Sequence, residues 1–387
     1  MTLVATSIDW AIEFVLAHSD GDLFPRVEEI EAVRASKADF IALVEGKPLA
    51  DFTPGPHRRF LIQKDEASFR QATQLDPQDS ILLSAVIHQF GSGIEQRRLG
   101  PAQVYSYRFA PTTSHGLYGN QGAWTDFWKT AKAHALSSPQ VVYCDIADFY
   151  NQVYHHEVEN QMIASGFPNQ AVKWVIALIE STTAGVSRGV PIGPHAAHLL
   201  AESTLIPIDS SLRDSGLQFV RYADDYVFFC ADARACRSVL ATVARVLDQP
   251  QRLMLQRHKT KILGQAEFLQ MCDQMLDDRA LSGSEQSVLE IIRKYSGGDP
   301  YTTVAISRIS AHDISSITPG GLRSIIEDYL AQRPIDYVRL RWLYRRLAQI
   351  GHPGAVEVSL DHVSELAPCF ANICFYFASI QQIPANE

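Results

Sequence analysis

The sequence lacks a run of apolar residues long enough to cross a lipid bilayer, which takes about 18 consecutive residues. Residues 1–4 are not followed by the basic segment and cleavable apolar stretch of a secretory signal. These absences argue against a membrane protein and against a secreted one. We therefore expect a cytoplasmic protein with no membrane partner.

Clustered disulfide or metal ligands are absent as well. No two of the six cysteines form a Cys-x-x-Cys pair; they are Cys144, Cys230, Cys236, Cys272, Cys369 and Cys374. This scatter argues against a disulfide framework and a structural zinc site, so we expect reduced, mostly buried thiols. His195 and His198 share one face of a predicted helix, but no nearby cysteine or Glu-x-x-His pair completes a zinc ligand set.

Positive charge is outweighed by negative charge: 34 lysines and arginines face 43 aspartates and glutamates, which gives a formal net charge of −9. The phosphate backbone rewards dense lysine and arginine, so this balance excludes indiscriminate nucleic-acid binding and leaves only local contacts. Basic clusters that could make such contacts lie at residues 57–59, 97–98 and 257–261, and at Arg339, Arg341, Arg345 and Arg346. One such cluster taken alone is more often a solvated or ion-paired surface, and that alternative stays open.

What is present is the composition of a folded globular chain. Of 387 residues, 46% are hydrophobic and 20% are charged, which allows two or three domains with ample core. The patterns divide the chain into a mixed region at 1–140, a region at 141–268 that alternates β-type runs with helices, and an almost wholly helical region at 269–387.

Several elements are specific enough to predict. We expect a strand pair between residues 60 and 140, and helices near 79–98, 151–166, 169–181, 196–205 and 232–247. Two apolar stripes at helical spacing predict packed helices near the C-terminus: Tyr337, Leu340, Leu343, Tyr344 and Leu347, then Val363, Leu366, Phe370, Ile373 and Phe377.

Two adjacent carboxylates, Asp224 and Asp225, interrupt an apolar run at residues 219–230. Aromatic and β-branched residues on both sides predict two strands, with the acidic pair at the tip of a tight β-hairpin. Like charges held side by side repel and lose hydration, a cost that a bound divalent cation would offset. The dipeptide alone is equally typical of an ordinary turn.

A second apolar strand begins at residue 141 and reaches a carboxylate at Asp145. A strand that delivers Asp145 beside a hairpin that delivers Asp224 would build a cluster able to hold two Mg²⁺ ions. Such a pair of ions can activate an attacking 3′-hydroxyl and neutralise a departing pyrophosphate.

Four motifs follow one another along this part of the chain. They are Asp-Ile-x-x-Phe-Tyr from 145, Gly-Val-Pro-Ile-Gly-Pro from 189, Tyr-Ala-Asp-Asp from 222 and Lys-Thr-Lys from 259. Their order resembles motifs A, B, C and D of reverse transcriptases. The resemblance implies an α+β right-hand polymerase, with the N-terminal region and fingers in 1–140, the palm in 141–268 and an α-helical, thumb-like or HEAT-like domain in 269–387.

The resemblance also implies roles for individual residues. Asp145 and Asp224 match the metal-binding aspartates, with Asp225 as the third acidic member and the Ile146 backbone carbonyl as a further ligand of two Mg²⁺ ions, for which Mn²⁺ can substitute. Tyr150 matches the aromatic gate that leaves no room for a ribose 2′-hydroxyl, although a core aromatic is the alternative.

The second and fourth motifs supply further candidates. Gly189, Pro191 and Gly193 match a loop whose backbone approaches the nucleotide and the templating base. Common reverse transcriptases carry glutamine where this chain has Ile192, which leaves template dependence open. Lys259 matches a lysine near the triphosphate that can protonate or neutralise the leaving pyrophosphate.

Upstream, Lys64 and Arg70 resemble the triphosphate-binding cations of the fingers, within a degenerate motif. A lysine and an arginine on an ordinary surface are equally good interpretations of these two residues. The sequence therefore leaves both alternatives open.

The motif at 189–194 followed by residues 200–202, the segment 104–109 and the helical C-terminal region resemble bacterial abortive-infection and defence-associated reverse transcriptases of the unknown groups. The resemblance implies an RNA-directed DNA polymerase in antiphage defence. Its partners would be dNTPs, an RNA template or non-coding RNA and the DNA product, and a homo-oligomer is consistent with the family.

Other functions stay open. The same site could extend DNA without a template, or could prime synthesis on a protein hydroxyl such as that of Tyr295, Tyr301 or Tyr376, for each of which core packing is the better interpretation. A catalytically silent RNA-binding scaffold is a hypothesis from a different class. The mutual repulsion of the aspartates argues against it, because a silent fold has no reason to keep them together.

Overall fold

The structure is a computed structural model that describes residues 1–18, 23, 28–114, 116–119, 122–276, 280–296, 304 and 306–381. It combines helices with sheets and separates into two compact units. The first unit contains Met1–Arg59 and Ala72–Leu276, and the second contains Phe60–Gln71 and Asp277–Glu387. Among the described residues, no helix is both long and apolar enough to span a membrane.

The first unit holds most of the helices. They are α1 (Ala5–His18), α2 (Glu29–Ala35), α3 (Lys37–Glu45), α4 (Pro77–Phe90), α5 (Ser92–Glu95), α6 (Ala123–Ala135), α7 (Phe149–Gln152), α8 (His155–Ala164), α9 (Asn169–Thr182), α10 (His195–Thr204), α11 (Ile206–Asp214), α12 (Ala233–Gln251) and α13 (Gln265–Leu276). The helix expected near 79–98 is therefore two helices, which are separated at Gly91.

The strands form two sheets. They are β1 (Arg58–Gln63), β2 (Phe69–Gln74), β3 (Gln140–Asp145), β4 (Phe219–Tyr222), β5 (Asp225–Cys230) and β6 (Lys261–Gly264). The first two pair with each other, as the predicted strand pair requires, and the others form a sheet in the order β4-β5-β3-β6. Each neighbouring pair in that sheet is antiparallel.

Helices cover both faces of the four-stranded sheet, because its side chains alternate in direction. Val142 and Cys144 of β3 enter one core together with Val239 and Val243 of α12. Val141, which points the other way, enters a second core that is shared with α6 and α13. A sheet buried on both faces explains why its strands read as nearly continuous apolar runs.

In the second unit, the helices are α14 (Gly283–Ser296), α15 (Ala311–Ser316), α16 (Pro319–Leu330), α17 (Tyr337–Ile350), α18 (Val356–Asp361) and α19 (Phe370–Gln381). Every residue of the predicted stripe on α17 is buried. The second stripe was wrong in part, since Val363 and Phe370 are 54% and 60% exposed. Turns and a short 3₁₀ helix replace a continuous helix between residues 362 and 369, so the expected periodicity is broken there.

The three tyrosines considered as protein primers have different surroundings. Tyr376 is buried and donates a hydrogen bond to the His352 carbonyl. The Tyr295 hydroxyl donates to Asp313 Oδ2 at 2.6 Å. Tyr301 lies outside the described residues.

Candidate active site

Three carboxylates meet at one end of the four-stranded sheet. Asp145 is the last residue of β3 and lies directly opposite Asp225, the first residue of β5. Asp224 lies in the two-residue turn between β4 and β5, and its carbonyl accepts a hydrogen bond of 3.0 Å from the Ile146 amide. One oxygen from each of the three carboxylates lies within 4.8 Å of the others. The predicted hairpin is present, but only Asp224 of the acidic pair lies in its turn.

The turn depends on a strained residue. Ala223 has φ = +51°, a left-handed conformation that costs a non-glycine residue about 1–2 kcal/mol. Two buried side chains hold its peptide groups: Ser106 Oγ accepts from the Ala223 amide at 2.8 Å, and Arg221 donates to the Ala223 carbonyl at 2.9 Å. These contacts orient Asp224, the next residue in the chain.

A buried ion network lies beneath this turn. Arg221 has no solvent exposure and binds both carboxylate oxygens of Asp209, with Nη2 at 2.7 Å from Oδ2. Glu202 bridges two arginines, at 3.0 Å from Arg221 and 2.7 Å from Arg98, and accepts from the Ser106 hydroxyl at 2.5 Å. Removing one partner of such a buried pair typically lowers the free energy of unfolding by about 3–5 kcal/mol. The network therefore holds the turn in a fixed position.

Lys259 contacts the aspartate cluster directly, through an ion pair with Asp145 Oδ2. Backbone pairing brings it there, because the Gln256 amide donates to the Asp145 carbonyl at 2.7 Å. Burial disfavours the ammonium, but the contact with Asp145 outweighs that effect and raises the pKa of Lys259. The fourth motif therefore supplies a cation that keeps its proton.

The electrostatics of Asp225 differ from those of an ordinary surface carboxyl. Burial, reinforced by repulsion from Asp224, raises its pKa to about 7. The Tyr143 hydroxyl donates to Asp225 Oδ1 at 2.5 Å, which partly opposes this rise. Three carboxylates with one lysine leave an excess of negative charge, and carboxylate oxygens are the ligands that hard divalent cations prefer. The residues present thus fit a divalent metal ion.

Tyr150 and the second motif lie next to each other. Tyr150 is part of α7 and is partly buried, and its hydroxyl lies 2.6 Å from His198 Nδ1. The Val190 amide donates to the Tyr150 carbonyl at 2.8 Å. The loop therefore shares a backbone hydrogen bond with the proposed gate.

Left-handed glycines shape the loop of the second motif. Gly189 and Gly193 have φ = +107° and +130°, and Pro191 between them is buried. The Gly189 amide donates to the Val153 carbonyl at 2.7 Å. The Ile192 carbonyl accepts from the Thr73 amide at 2.8 Å, so the loop is pinned at both ends.

Lys64 and Arg70 belong to the second unit, whereas the aspartates belong to the first. Lys64 begins the turn between β1 and β2, where its amide donates to the Ser68 carbonyl at 2.8 Å. Arg70 is an exposed residue of β2. A triphosphate contact by either cation stays a prediction.

Two of the arginines on helix α17 contact other groups of the second unit. Arg346 is buried and lies over the Trp342 ring, at 4.8 Å from its centroid. Arg341 donates to the Lys64 carbonyl at 3.0 Å and to the Pro368 carbonyl at 3.3 Å. Arg345 is exposed. The predicted basic cluster is thus divided between packing and surface.

Sequence reasoning did not assign several residues that support this site, namely Ser106, Tyr143, His198, Glu202, Asp209 and Arg221. A signal was present for some of them. Arg221 and Glu202 are charged residues within apolar segments, and buried charges need partners. No local pattern assigns Ser106 or His198 to these roles, because their partners are distant in sequence.

A family model described as reverse transcriptase (RNA-dependent DNA polymerase) matches residues 62–271. No curated protein matches the chain.

Solved telomerase structures are similar at low sequence identity. The apo telomerase of Candida tropicalis is 12% identical with a TM-score of 0.45, covering 92% of this chain and 68% of that one. Its form truncated from the C-terminal domain is 12% identical with a TM-score of 0.36, covering 55% and 50%. The Candida albicans telomerase in complex with a fragment of telomeric RNA is 10% identical with a TM-score of 0.40, covering 94% and 70%. The match thus spans about half the length of the truncated telomerase.

Proposed function

This chain belongs to the reverse transcriptase (RNA-dependent DNA polymerase) family, and we propose that its aspartate cluster is the catalytic centre for RNA-directed DNA synthesis from dNTPs. The observation that carries the proposal is the convergence of Asp145, Asp224 and Asp225 within 4.8 Å. A family member without this chemistry would have no reason to bear the burial and the mutual repulsion that together raise the pKa of Asp225.

Asp145 and Asp224 would hold two Mg²⁺ ions, or Mn²⁺ in their place, with Asp225 and the Ile146 carbonyl as further ligands. When bound, such ions lower the pKa of a 3′-hydroxyl and neutralise charge on the departing pyrophosphate. Lys259 carries a proton on Nζ at the edge of the cluster, where it can neutralise or protonate the leaving group.

The other predicted residues act on the nucleotide. Tyr150 faces the sugar and excludes a 2′-hydroxyl, and the loop with Gly189, Pro191 and Gly193 brings backbone close to the base pair. The hydrogen bond from the Val190 amide to the Tyr150 carbonyl supports a joint role for the two motifs. Lys64 and Arg70 bind the triphosphate.

The fingers lie in 1–140, the palm in 141–268 and the thumb-like or HEAT-like domain in 269–387. The enzyme works in the bacterial cytoplasm in antiphage defence, where it copies an RNA template or a non-coding RNA. The motifs at 104–109 and 189–194 support this type within the family.

The test is DNA synthesis by purified protein with Mg²⁺ and labelled dNTPs, with and without ribonuclease. Asp224→Asn removes one charge while keeping the side-chain shape. Asp148→Asn is the matched control, because Asp148 is exposed and its φ of +50° suits asparagine.

Product that is lost with ribonuclease and with Asp224→Asn, but kept with Asp148→Asn, supports RNA-templated synthesis, and sequencing it identifies the template. Product that survives ribonuclease but not Asp224→Asn indicates untemplated addition by the same site. Full activity of Asp224→Asn would refute the proposed centre.

A further inference from the structure

Tyr150 has a buried partner outside the aspartate cluster. His198 of α10 is 6% exposed, and its Nδ1 lies 2.6 Å from the Tyr150 hydroxyl. The two rings meet edge to face, with centroids 5.6 Å apart and an interplanar angle of 86°. Burial raises the pKa of Tyr150 well above its usual value, so the phenol keeps its proton and can donate it to an unprotonated Nδ1.

The imidazole is itself held in place. Tyr107 stacks on its face, with centroids 4.3 Å apart and the planes 12° from parallel. Tyr107 has φ = +45°, and Arg98, from the ion network, donates to its carbonyl at 2.8 Å. His198 is therefore oriented by a stacking partner on one side and bonded to Tyr150 on the other.

The backbone of Tyr150 is also restrained, because its carbonyl accepts from the Val190 amide. The backbone bond does not fix the side-chain torsions of Tyr150, which depend on the contacts of the ring and the hydroxyl. The hydroxyl lies on the axis of rotation about Cβ–Cγ, so a hydrogen bond there restrains mainly the Cα–Cβ torsion, about which the hydroxyl moves farthest for a given change in angle.

We propose that His198 is a positioning residue that fixes the Tyr150 ring and thereby sets discrimination between deoxyribonucleotides and ribonucleotides. The inference rests on the proposed function, in which Tyr150 faces the sugar. A ring free to turn aside leaves room for a 2′-hydroxyl, whereas a fixed ring does not.

The proposal makes a quantitative prediction about four variants. Tyr150→Phe removes the donor and His198→Leu removes the acceptor, and each should lower the ratio of kcat/KM for dTTP to that for UTP about 3- to 10-fold, the effect of one hydrogen bond. The double variant should be no worse than either single variant, because both remove the same bond. His198→Asn, whose Oδ1 can replace Nδ1 as acceptor, should retain most of the ratio.

The assay measures single-nucleotide incorporation on poly(rA) with an oligo(dT) primer. Tyr150→Ala tests the gate itself, and His312→Leu, at an exposed histidine outside the site, controls for the loss of a histidine side chain. If Tyr150→Ala leaves the ratio unchanged, the gate role in the proposed function fails. If Tyr150→Ala lowers the ratio but His198→Leu does not, or if the two single effects add in the double variant, the gate stands and the inference is overturned.

A second measurement does not depend on turnover. In protein with ¹⁵N-labelled histidine, the Nδ1 resonance of His198 is identified by its loss in His198→Asn. It should shift in Tyr150→Phe, because Nδ1 loses its hydrogen-bond partner. An unchanged resonance would overturn the inference even if the purified protein were inactive.

Discussion

In the turn of the aspartate hairpin, single side chains provide the hydrogen bonds that the Ala223 peptide groups do not make to a neighbouring strand. Ser106 is the clearest example, since its hydroxyl accepts from the Ala223 amide and donates to Glu202. A buried amide without an acceptor lowers the free energy of unfolding. The Ser106 hydroxyl therefore both fixes the turn and stabilises the protein.

We predict that Ser106→Ala lowers the free energy of unfolding by about 1–3 kcal/mol, the cost of leaving a buried donor unsatisfied. It should also reduce kcat for DNA synthesis, because Asp224 follows the affected residue. Denaturant unfolding and steady-state kinetics check both effects. Ser137→Ala, at an exposed serine, is the control, and equal behaviour of the two variants would contradict this prediction.

Lys259 competes with metal for Asp145, so its removal should strengthen metal binding. We predict that Lys259→Met lowers the Tm of metal-free protein and increases the rise in Tm on addition of MgCl₂ without nucleotide. Lys261→Met, an exposed neighbour, should match the wild type. An unchanged response to MgCl₂ in Lys259→Met would show that the ion pair has no influence on the cluster.

The pKa of Asp225 predicts a pH dependence of metal-free stability. The carboxyl is protonated up to about pH 7 in the folded state, but only up to its ordinary value of 3.8 when unfolded. Between these values the unfolded state binds fewer protons, so stability falls as pH rises. Relative to Asp225→Asn, the wild type should lose stability from about pH 4 to pH 7 and no further above that.

Unfolding titrations of both proteins at several pH values, with chelator, check this expectation, since other groups cancel in the difference. A difference that stays constant across the range would show that Asp225 titrates normally. Saturating Mg²⁺ should reduce the slope, because a bound cation favours the ionised carboxyl.

At the scale of elements, the site is a junction between two strand ends and one loop. The antiparallel register of β3 with β5 sets Asp145 opposite Asp225, and the turn after β4 adds Asp224. The loop at 189–193 then connects this junction to α10, which carries both His198 and Glu202. Because the Val190 amide in this loop bonds directly to the Tyr150 carbonyl, a change in the loop should affect nucleotide binding more directly than metal binding.

We predict that Gly189→Ala impairs dNTP incorporation, and that this impairment exceeds what its loss of stability alone would cause. Its φ of +107° strains any side chain, and a Cβ would lie 3.3 Å from Thr183 Cγ2, so the Val190 contact with Tyr150 would shift. Gly185→Ala is a matched control, because Gly185 has φ = +82° and an added Cβ would meet nothing within 4 Å.

Both variants should lose about 1 kcal/mol of unfolding free energy from backbone strain. Only Gly189→Ala should raise KM for dNTPs. Equal kinetic effects in the two variants would mean that the loop has no special connection to nucleotide binding.

For the whole molecule, the apolar cores of the two units are separate: the described residues form two core clusters in the first unit and one in the second. The core of the second unit is built from α14, α16, α17 and α19, among other segments, and includes Leu343 and Tyr344, which are fully buried. All six cysteines are unpaired thiols, and five of them are buried, so packing rather than covalent bonds stabilises the units.

We predict that Leu343→Ala costs about 2–5 kcal/mol, the usual cost of a cavity at a fully buried leucine. Amide hydrogen exchange should accelerate in α14 to α19 and much less in α6 to α13. Val338→Ala is the control on the same helix, since Val338 is 68% exposed. Equal acceleration in both units would contradict separate cores.

The sequence by itself determined the elements of the site. Apolar runs ending at Asp145 and around Asp224 predicted the strands, because strand side chains alternate and a doubly covered sheet needs both faces apolar. Motif order predicted the family, and apolar periodicity predicted the buried stripe of α17. These predictions depend only on residues that are close together in the sequence.

Only the tertiary structure decided which side chains complete the site. Ser106 and Glu202 are 96 residues apart, and Tyr150 and His198 are 48 apart, so no local pattern relates them. The same limit explains the error at Val363 and Phe370, where turns interrupt a regular apolar spacing. Hydrogen bonds between distant residues depend on how the core packs, and packing depends on the whole chain rather than on any single segment.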